Sequence, residues 1–299
     1  MAKPGPLIVI GGKEDKEGDR EILCRVADHC GGGKMVIVTV GSGVPDEYFA
    51  EYKQIFRSLG VKDIQQFHVT ERVQSSDPKK LACFEGATAI FMTGGDQLRI
   101  ASQMGDTPAE AALRKAWEAG AVIAGTSAGA SVMSDIMMVG VRRDGMRIGD
   151  MHMASGFGLV RNVIIDQHFA ERGRISRLIS AVSHNPRILG IGVDEDTAFV
   201  LEGERLLIVG AGAVYVVDGE QVTHSNIGEA DAKNALSVYD LKLHVLRAGD
   251  QFDLDSRRPI PTEAVAASAA AATGATKKAG KKRAGNGKGK EPAAGGPPR

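Results

Sequence analysis

Through the first 125 residues, wholly apolar runs alternate with helical periodicities. Leu7–Ile10 is apolar at every position and ends at Gly11-Gly12. Residues 35–40 repeat the pattern before Gly41-Ser42-Gly43, and 64–69, Ala87–Met92 and 122–124 follow. Between these runs, 19–29 places Ile22, Leu23 and Val26 on one helical face. Residues 48–59 carry Phe49, Tyr52, Ile55, Phe56 and Leu59 at three- and four-residue steps, and 109–119 reads as a further helix. Strands that are apolar on both faces need cover on both, so the pattern predicts a mostly parallel sheet between two helical layers. In such sheets ligands sit beyond the carboxyl ends of the strands. The loops at 11–12, 41–43, 93–97 and 125–129 are expected to gather there.

The second half reads differently. Residues 137–155 are rich in Met and Gly without a clear period, which suggests an active-site loop or a hairpin. A strand at 163–165 leads into Asp166-Gln167-His168-Phe169, a helix is expected over 172–183, and a strand at 188–193 ends in Asp194-Glu195-Asp196. Runs at 197–201, 205–209 and 213–217, separated by Gly-containing turns, predict antiparallel hairpins. Segments 236–246 and 251–254 complete the fold. Beyond about Pro261 the chain is Ala, Gly, Lys and Pro with almost no large apolar residue, a composition that cannot offset ordering entropy. The expected organisation is therefore a domain over 1–260 and a disordered basic tail over 261–299.

Charge sharpens that division. The formal net charge of the 299 residues is zero. The segment from Glu263 onward holds eight Lys/Arg against two Glu, leaving 29 basic and 35 acidic residues in the body. A mildly acidic body suits a cationic substrate. The tail allows only weak, salt-sensitive contact with polyanions such as nucleic acid. Three cysteines without a C-x-x-C pair read as reduced thiols of a cytoplasmic protein. The short apolar run near the start is not expected to be a signal peptide, and no run of about 18 apolar residues predicts a membrane span.

The chemistry centres on residues 125–129, Gly-Thr-Ser-Ala-Gly. The G-x-S-x-G pattern, placed between an apolar strand and a small-residue helix start, is that of a nucleophile elbow, which lifts Ser127 out at a tight turn. Such a short pattern also recurs by chance, so its weight comes from companions. Of seven histidines, His168 follows an apolar strand directly and sits among polar residues, which makes it the expected base; His152 is the rival. An orienting carboxylate is needed, and Asp144, Asp150, Asp166, Asp194 and Glu195 are all candidates that spacing does not separate. The Ala128 N–H, with one from Gly94-Gly95, is expected to stabilise an oxyanion. Arg172, Arg174 and Arg177 form a basic series able to bind carboxylates bidentately. There is no H-E-x-x-H and no clustered His/Cys set, so neither metal nor cofactor is expected.

Four strings, MTGGDQLRI, GTSAGASVMS, IIDQHFAERGRISRL and GIGVDEDTAFVLEG, resemble the cyanophycinases, within the serine peptidase group that also contains aspartyl dipeptidase. The resemblance runs from about residue 7 to about 254. It implies a three-layer, class I glutamine amidotransferase-like (flavodoxin-like) α/β fold with extra C-terminal β-hairpins, and a homodimer. It also implies hydrolysis of cyanophycin, poly-aspartate bearing arginine on each side chain, to β-Asp-Arg dipeptides. Ser127 matches the family nucleophile and His168 its base. The acid carries over to Asp144, and the oxyanion donors to Gly95 and Ala128. Gln97, Asp166, Gln167, Arg172, Arg174 and Arg177 match substrate-binding positions, with Asp166 expected to meet substrate guanidinium groups. An α-aspartyl dipeptidase is the near alternative. A non-catalytic nucleotide- or flavin-binding module is the distant one, disfavoured because Gly11-Gly12-Lys13 is neither G-x-G-x-x-G nor a P-loop.

Overall fold

A computed structural model describes residues 3–141, 151–229 and 234–260. By its contacts the chain divides into Met1–Pro259 and Ile260–Arg299; the architecture below is that of the first unit. Asp144 and Asp150 lie outside the described residues, as does the basic tail at 261–299.

The apolar runs become the parallel half of a nine-stranded sheet. In chain order the elements are β1 (Leu7–Ile10), α1 (Glu21–Cys30), β2 (Lys34–Val38), α2 (Pro45–Ser58), β3 (Asp63–Phe67), α3 (Pro78–Leu81), β4 (Ala87–Met92), α4 (Gln97–Met104), α5 (Pro108–Glu118), β5 (Val122–Thr126) and α6 (Ala128–Ser131). Then come β6 (Ile136–Val141), β7 (Met151–Ser155), β8 (Val163–Gln167), α7 (Ile175–His184), β9 (Leu189–Val193), β10 (Thr197–Glu202), β11 (Arg205–Gly210) and β12 (Ala213–Asp218). Short strands β13 (His224–Ser225), β14 (Val238–Tyr239), β15 (Lys242–Arg247), β16 (Gln251–Asp253) and β17 (Arg258–Ile260) follow. The large sheet has the order β17-β16-β11-β10-β1-β5-β4-β2-β3. It is parallel from β1 through β5, β4 and β2 to β3, and antiparallel where β10 joins β1 and β11 joins β10.

One face of this sheet is covered by α1 and α2, which pack Ile22, Leu23, Val26, Tyr52, Ile55 and Phe56 against Ile8, Ile37 and Phe91. Ile22, Leu23 and Val26 are at most 2% exposed, and burying each such aliphatic side chain stabilises the fold by roughly 1.5–3 kcal/mol. The helix stops at Gly31, whose φ of 60° lets its N–H reach back to the Ala27 and Asp28 carbonyls. The opposite face holds α4, α5 and a second sheet in one continuous core that includes Ile100, Leu113, Ile165, Ile191 and Val216.

The second sheet, β15-β12-β9-β8, departs from the sequence expectation. The apolar runs at β10, β11 and β12 were expected to form successive hairpins. Instead β11 pairs with β10 in the large sheet, while β12 crosses to pair with β9 and β15. The reason is burial: Val214 and Val216 have a matching apolar partner surface on β9, and α7 covers the outer face with Leu178 and Val182. Helix α4 was not anticipated, because its eight residues directly follow a Gly-rich loop. Its start is set by Asp96, whose carboxylate accepts from the Leu98 and Arg99 N–H groups. The Met-rich stretch contains an antiparallel pair, β6 with β7. Among the described residues no helix is long and apolar enough to cross a membrane.

Candidate active site

Strand β5 ends at Thr126, and the chain turns into α6 within a single residue. That residue, Ser127, has φ 54° and ψ −110°, a backbone region that costs a non-glycine residue of order 1–3 kcal/mol. The flanking glycines make the turn possible. A Cβ on Gly125 would lie 2.3 Å from the Gly129 carbonyl oxygen, and one on Gly129 would lie 2.3 Å from that of Met92. The Ser127 N–H donates to the Ile10 carbonyl at 3.0 Å, tying the turn to β1.

His168 reaches the same point from the second sheet. It follows β8 with φ 48°, and its N–H donates to the Gly11 carbonyl at 2.8 Å. Gly12, at φ 104°, lies flat against the ring: a Cβ there would sit 2.3 Å from Cε1 of His168. Nε2 of His168 is 3.0 Å from Oγ of Ser127, and Nδ1 is 2.7 Å from Oε1 of Glu195. A carboxylate only accepts, so Nδ1 carries the proton of the neutral ring and Nε2 is left to accept from the serine hydroxyl. Burial holds the His168 pKa below its ordinary value of 6.5, against the opposing effect of the hydrogen bond that the ring donates to Glu195. Burial raises the Glu195 pKa, but Lys13, whose Nζ is 3.0 Å from Oε2, and the bond to His168 outweigh it, and the net shift is downward. The ring is neutral and its carboxylate partner anionic near neutrality.

Glu195 was the last of the acids weighed in the sequence. Parallel pairing of β8 with β9, Gln167 opposite Val193, brings it beside His168 although 27 residues separate them. The ring nitrogen that Asp144 was expected to hold therefore already has a carboxylate. Asp194 is turned elsewhere, accepting from the Ala170 and Ala213 N–H groups at 2.9 and 3.1 Å. His152 is exposed on β7.

A cavity of about 540 Å³ opens over Ser127 and His168. Gly95 and Gln97 line it, as do Gln167, Arg172, Arg174 and Arg177. Among the described residues the N–H groups of Gly95 and Ala128 have no backbone acceptor. Gln97 donates through Nε2 to the Met138 carbonyl at 2.7 Å, joining α4 to β6. Asp166, expected to meet substrate guanidinium groups, is not among the residues that line the cavity. It is 1% exposed and lies behind Arg174 and Arg177: Nε of Arg177 donates to Oδ2 at 2.6 Å, and both guanidinium groups reach Oδ1. Both of its oxygens are thus taken up by these two arginines. Arg174 also donates to Oε1 of Gln167 at 2.8 Å, and burial lowers its pKa to about 10. Arg172 is exposed and has no carboxylate partner among the described residues. The loop after β1 contributes Lys13 and Glu14 to the cavity; nothing in their spacing marked them, since only the β1–β5 and β1–β10 pairings bring that loop to the elbow.

Among known proteins, the cyanophycinase of Geminocystis herdmanii is 39% identical over 260 residues, covering 85% of this chain and 95% of that protein. The cyanophycinase of Thermosynechococcus vestitus is 38% identical over 84% of this chain and 79% of its own. Among solved structures, a peptidase from an acI-B1 Actinobacterium superposes with a TM-score of 0.63 at 22% identity, over 84% of this chain and 97% of that one. A putative peptidase E from Listeria monocytogenes superposes with a TM-score of 0.50 at 14% identity, over 70% of this chain and 100% of that one. The two superpositions agree with a mixed α/β fold built on a large, mostly parallel central sheet. The profile of Peptidase family S51 matches residues 7–209, a span that holds the elbow, the histidine and the carboxylate at its ring, and the chain belongs to that family.

Proposed function

We propose that this chain is a serine-type exopeptidase that hydrolyses cyanophycin and releases β-Asp-Arg dipeptides. The observation that carries the chemistry is the continuous contact from Ser127 Oγ through His168 to Glu195, at 3.0 and 2.7 Å. The cyanophycinase relatives support the substrate. Ser127 attacks the peptide carbonyl as His168 Nε2 takes its proton. His168 then delivers the proton to the leaving amine, and water hydrolyses the acyl-enzyme by the reverse sequence. Glu195 takes the role first carried over to Asp144, holding the ring in the Nδ1–H tautomer and stabilising it when protonated. The N–H groups of Gly95 and Ala128 meet the oxyanion. Arg172 receives a substrate carboxylate, with Arg174, Arg177, Gln97 and Gln167 shaping the wall around it. On the resemblance, the reading extends to an amidotransferase-like fold class and a homodimer, and on the unpaired cysteines to a cytoplasmic setting.

Incubation with purified cyanophycin, followed by mass analysis, tests this. Accumulation of β-Asp-Arg is the expected result. An untouched polymer together with cleaved α-Asp-Xaa dipeptides would reassign the chain as an aspartyl dipeptidase.

A further inference from the structure

Among the described residues that line the cavity, Glu14 is the one that bears a carboxylate. It is 3% exposed, and each oxygen holds one hydroxyl: Tyr52 donates to Oε1 at 2.5 Å and Thr126 to Oε2 at 2.6 Å. Thr126 is the residue immediately before the nucleophile. Burying a carboxylate is costly unless a cation or a full set of donors compensates it, yet no described lysine or arginine pairs with Glu14. Its neighbours in sequence are committed elsewhere, Lys13 to Glu195 at 3.0 Å and Lys16 to Glu51 at 2.8 Å. A carboxylate offers about four acceptor positions, so two remain after the hydroxyls.

The other charges of the cavity show what is missing. Arg174 and Arg177 share the single carboxylate of Asp166, so that cluster keeps one positive charge. Two further groups of opposite sign have no charged partner among the described residues: Glu14 on the Thr126 side of Ser127, and Arg172 on the turn after His168. A ligand that satisfies both carries a carboxylate and a cation. A planar guanidinium suits the Glu14 end, because its fork of N–H donors matches a carboxylate held open by two hydroxyls, and the rings of Tyr48 and Tyr52 stand beside it.

We infer that Glu14 receives the guanidinium of the substrate's arginine side chain and sets the preference for arginine-bearing units. The inference rests on the function proposed above. The probes are the dipeptides β-Asp-Arg and β-Asp-citrulline, equal in shape but with a neutral urea in place of the cation, used for calorimetric Kd values. Short oligomers bearing either side chain give kcat/KM. The native protein is expected to favour arginine by roughly tenfold to a hundredfold, the scale of one charge-assisted contact. Glu14→Gln should shrink that preference to within about threefold, by weakening the arginine form and leaving the citrulline form nearly unchanged. Unaltered labelling of Ser127 by a fluorophosphonate shows that the variant is folded with its nucleophile intact. If Glu14→Gln does not fold, Tyr52→Phe, which removes one of the hydroxyls orienting the carboxylate, should lose part of the preference. Arginine preference that survives in the folded variant overturns the inference, and so does a native protein without any preference. A native protein that binds arginine in a Glu14-dependent way but leaves the polymer intact upholds this inference and refutes the hydrolytic function instead.

Discussion

The proposed nucleophile and its proposed base are held by two different kinds of construction. Ser127 stands at the end of a central strand of the large sheet, in a turn whose shape is dictated by backbone touching backbone: Gly125 against Gly129, Gly129 against Met92. His168 and Glu195 stand at the ends of neighbouring parallel strands of the small sheet, and their meeting depends on strand register. The first arrangement is set by close backbone contact within the turn and against β4. The second is assembled from residues far apart in the chain and braced by side chains, with Lys13 on Glu195 and Asp194 holding the turn after His168. Steric exclusion places one half of the site, and pairing plus electrostatics places the other.

The sharpest break on the nucleophile side is Ser127→Ala, which should lower dipeptide release by about 10³–10⁶ while leaving the melting temperature in place, since triad members act as a unit. A folded variant with near-native turnover would remove the serine mechanism. On the histidine side, Glu195→Gln should cost on the order of 10²–10⁴ in kcat by losing control of the ring tautomer. Asp144→Asn, compared in the same assay, should stay within about threefold of the native rate. The reverse ranking would return the acid to the segment after β6. Next in size, Gly129→Ala should destabilise the fold by about 1–3 kcal/mol or more, because the added methyl meets a backbone carbonyl that has nowhere to go. Thermal denaturation measures this, and an unchanged midpoint would show that the elbow has slack.

The pH profile probes the electrostatic half alone. His168 works as a base only when neutral, and burial lowers its pKa. Activity is therefore lost as pH falls, and the acid limb of kcat/KM should lie below 6.5, the ordinary histidine value. A limb above that value would mean that Glu195 overrides burial. The smallest effect is expected from the tail: ending the chain after Thr262 should change release by less than about twofold and abolish weak retention on heparin at low salt.

How legible this was differed between the two halves in the same way. The elbow could be read directly, because a nucleophile turn needs glycines at fixed offsets from the serine and an apolar strand before them. His168 was legible for a related reason, as a polar residue set directly after an apolar strand. Its carboxylate was not: five acids had suitable chemistry, and only the pairing of β8 with β9 selects Glu195. The surroundings of Asp166 were visible only in three dimensions, since the turn after β8 and the start of α7 send Arg174 and Arg177 back onto it. Glu14 carried no signal at all, because a charged loop next to a glycine pair is ordinary until a sheet brings it beside the nucleophile.

Periodicity and glycine spacing, which depend on neighbours a few residues apart, determined the parallel strands, their helical cover and the serine turn. The division into two sheets, the transfer of β12 between them and the identity of the residues at the histidine ring were decided by the tertiary structure. Each of those depends on which distant apolar face a strand finds to bury, and on the register it then adopts, and neither quantity is written in any local stretch of the chain.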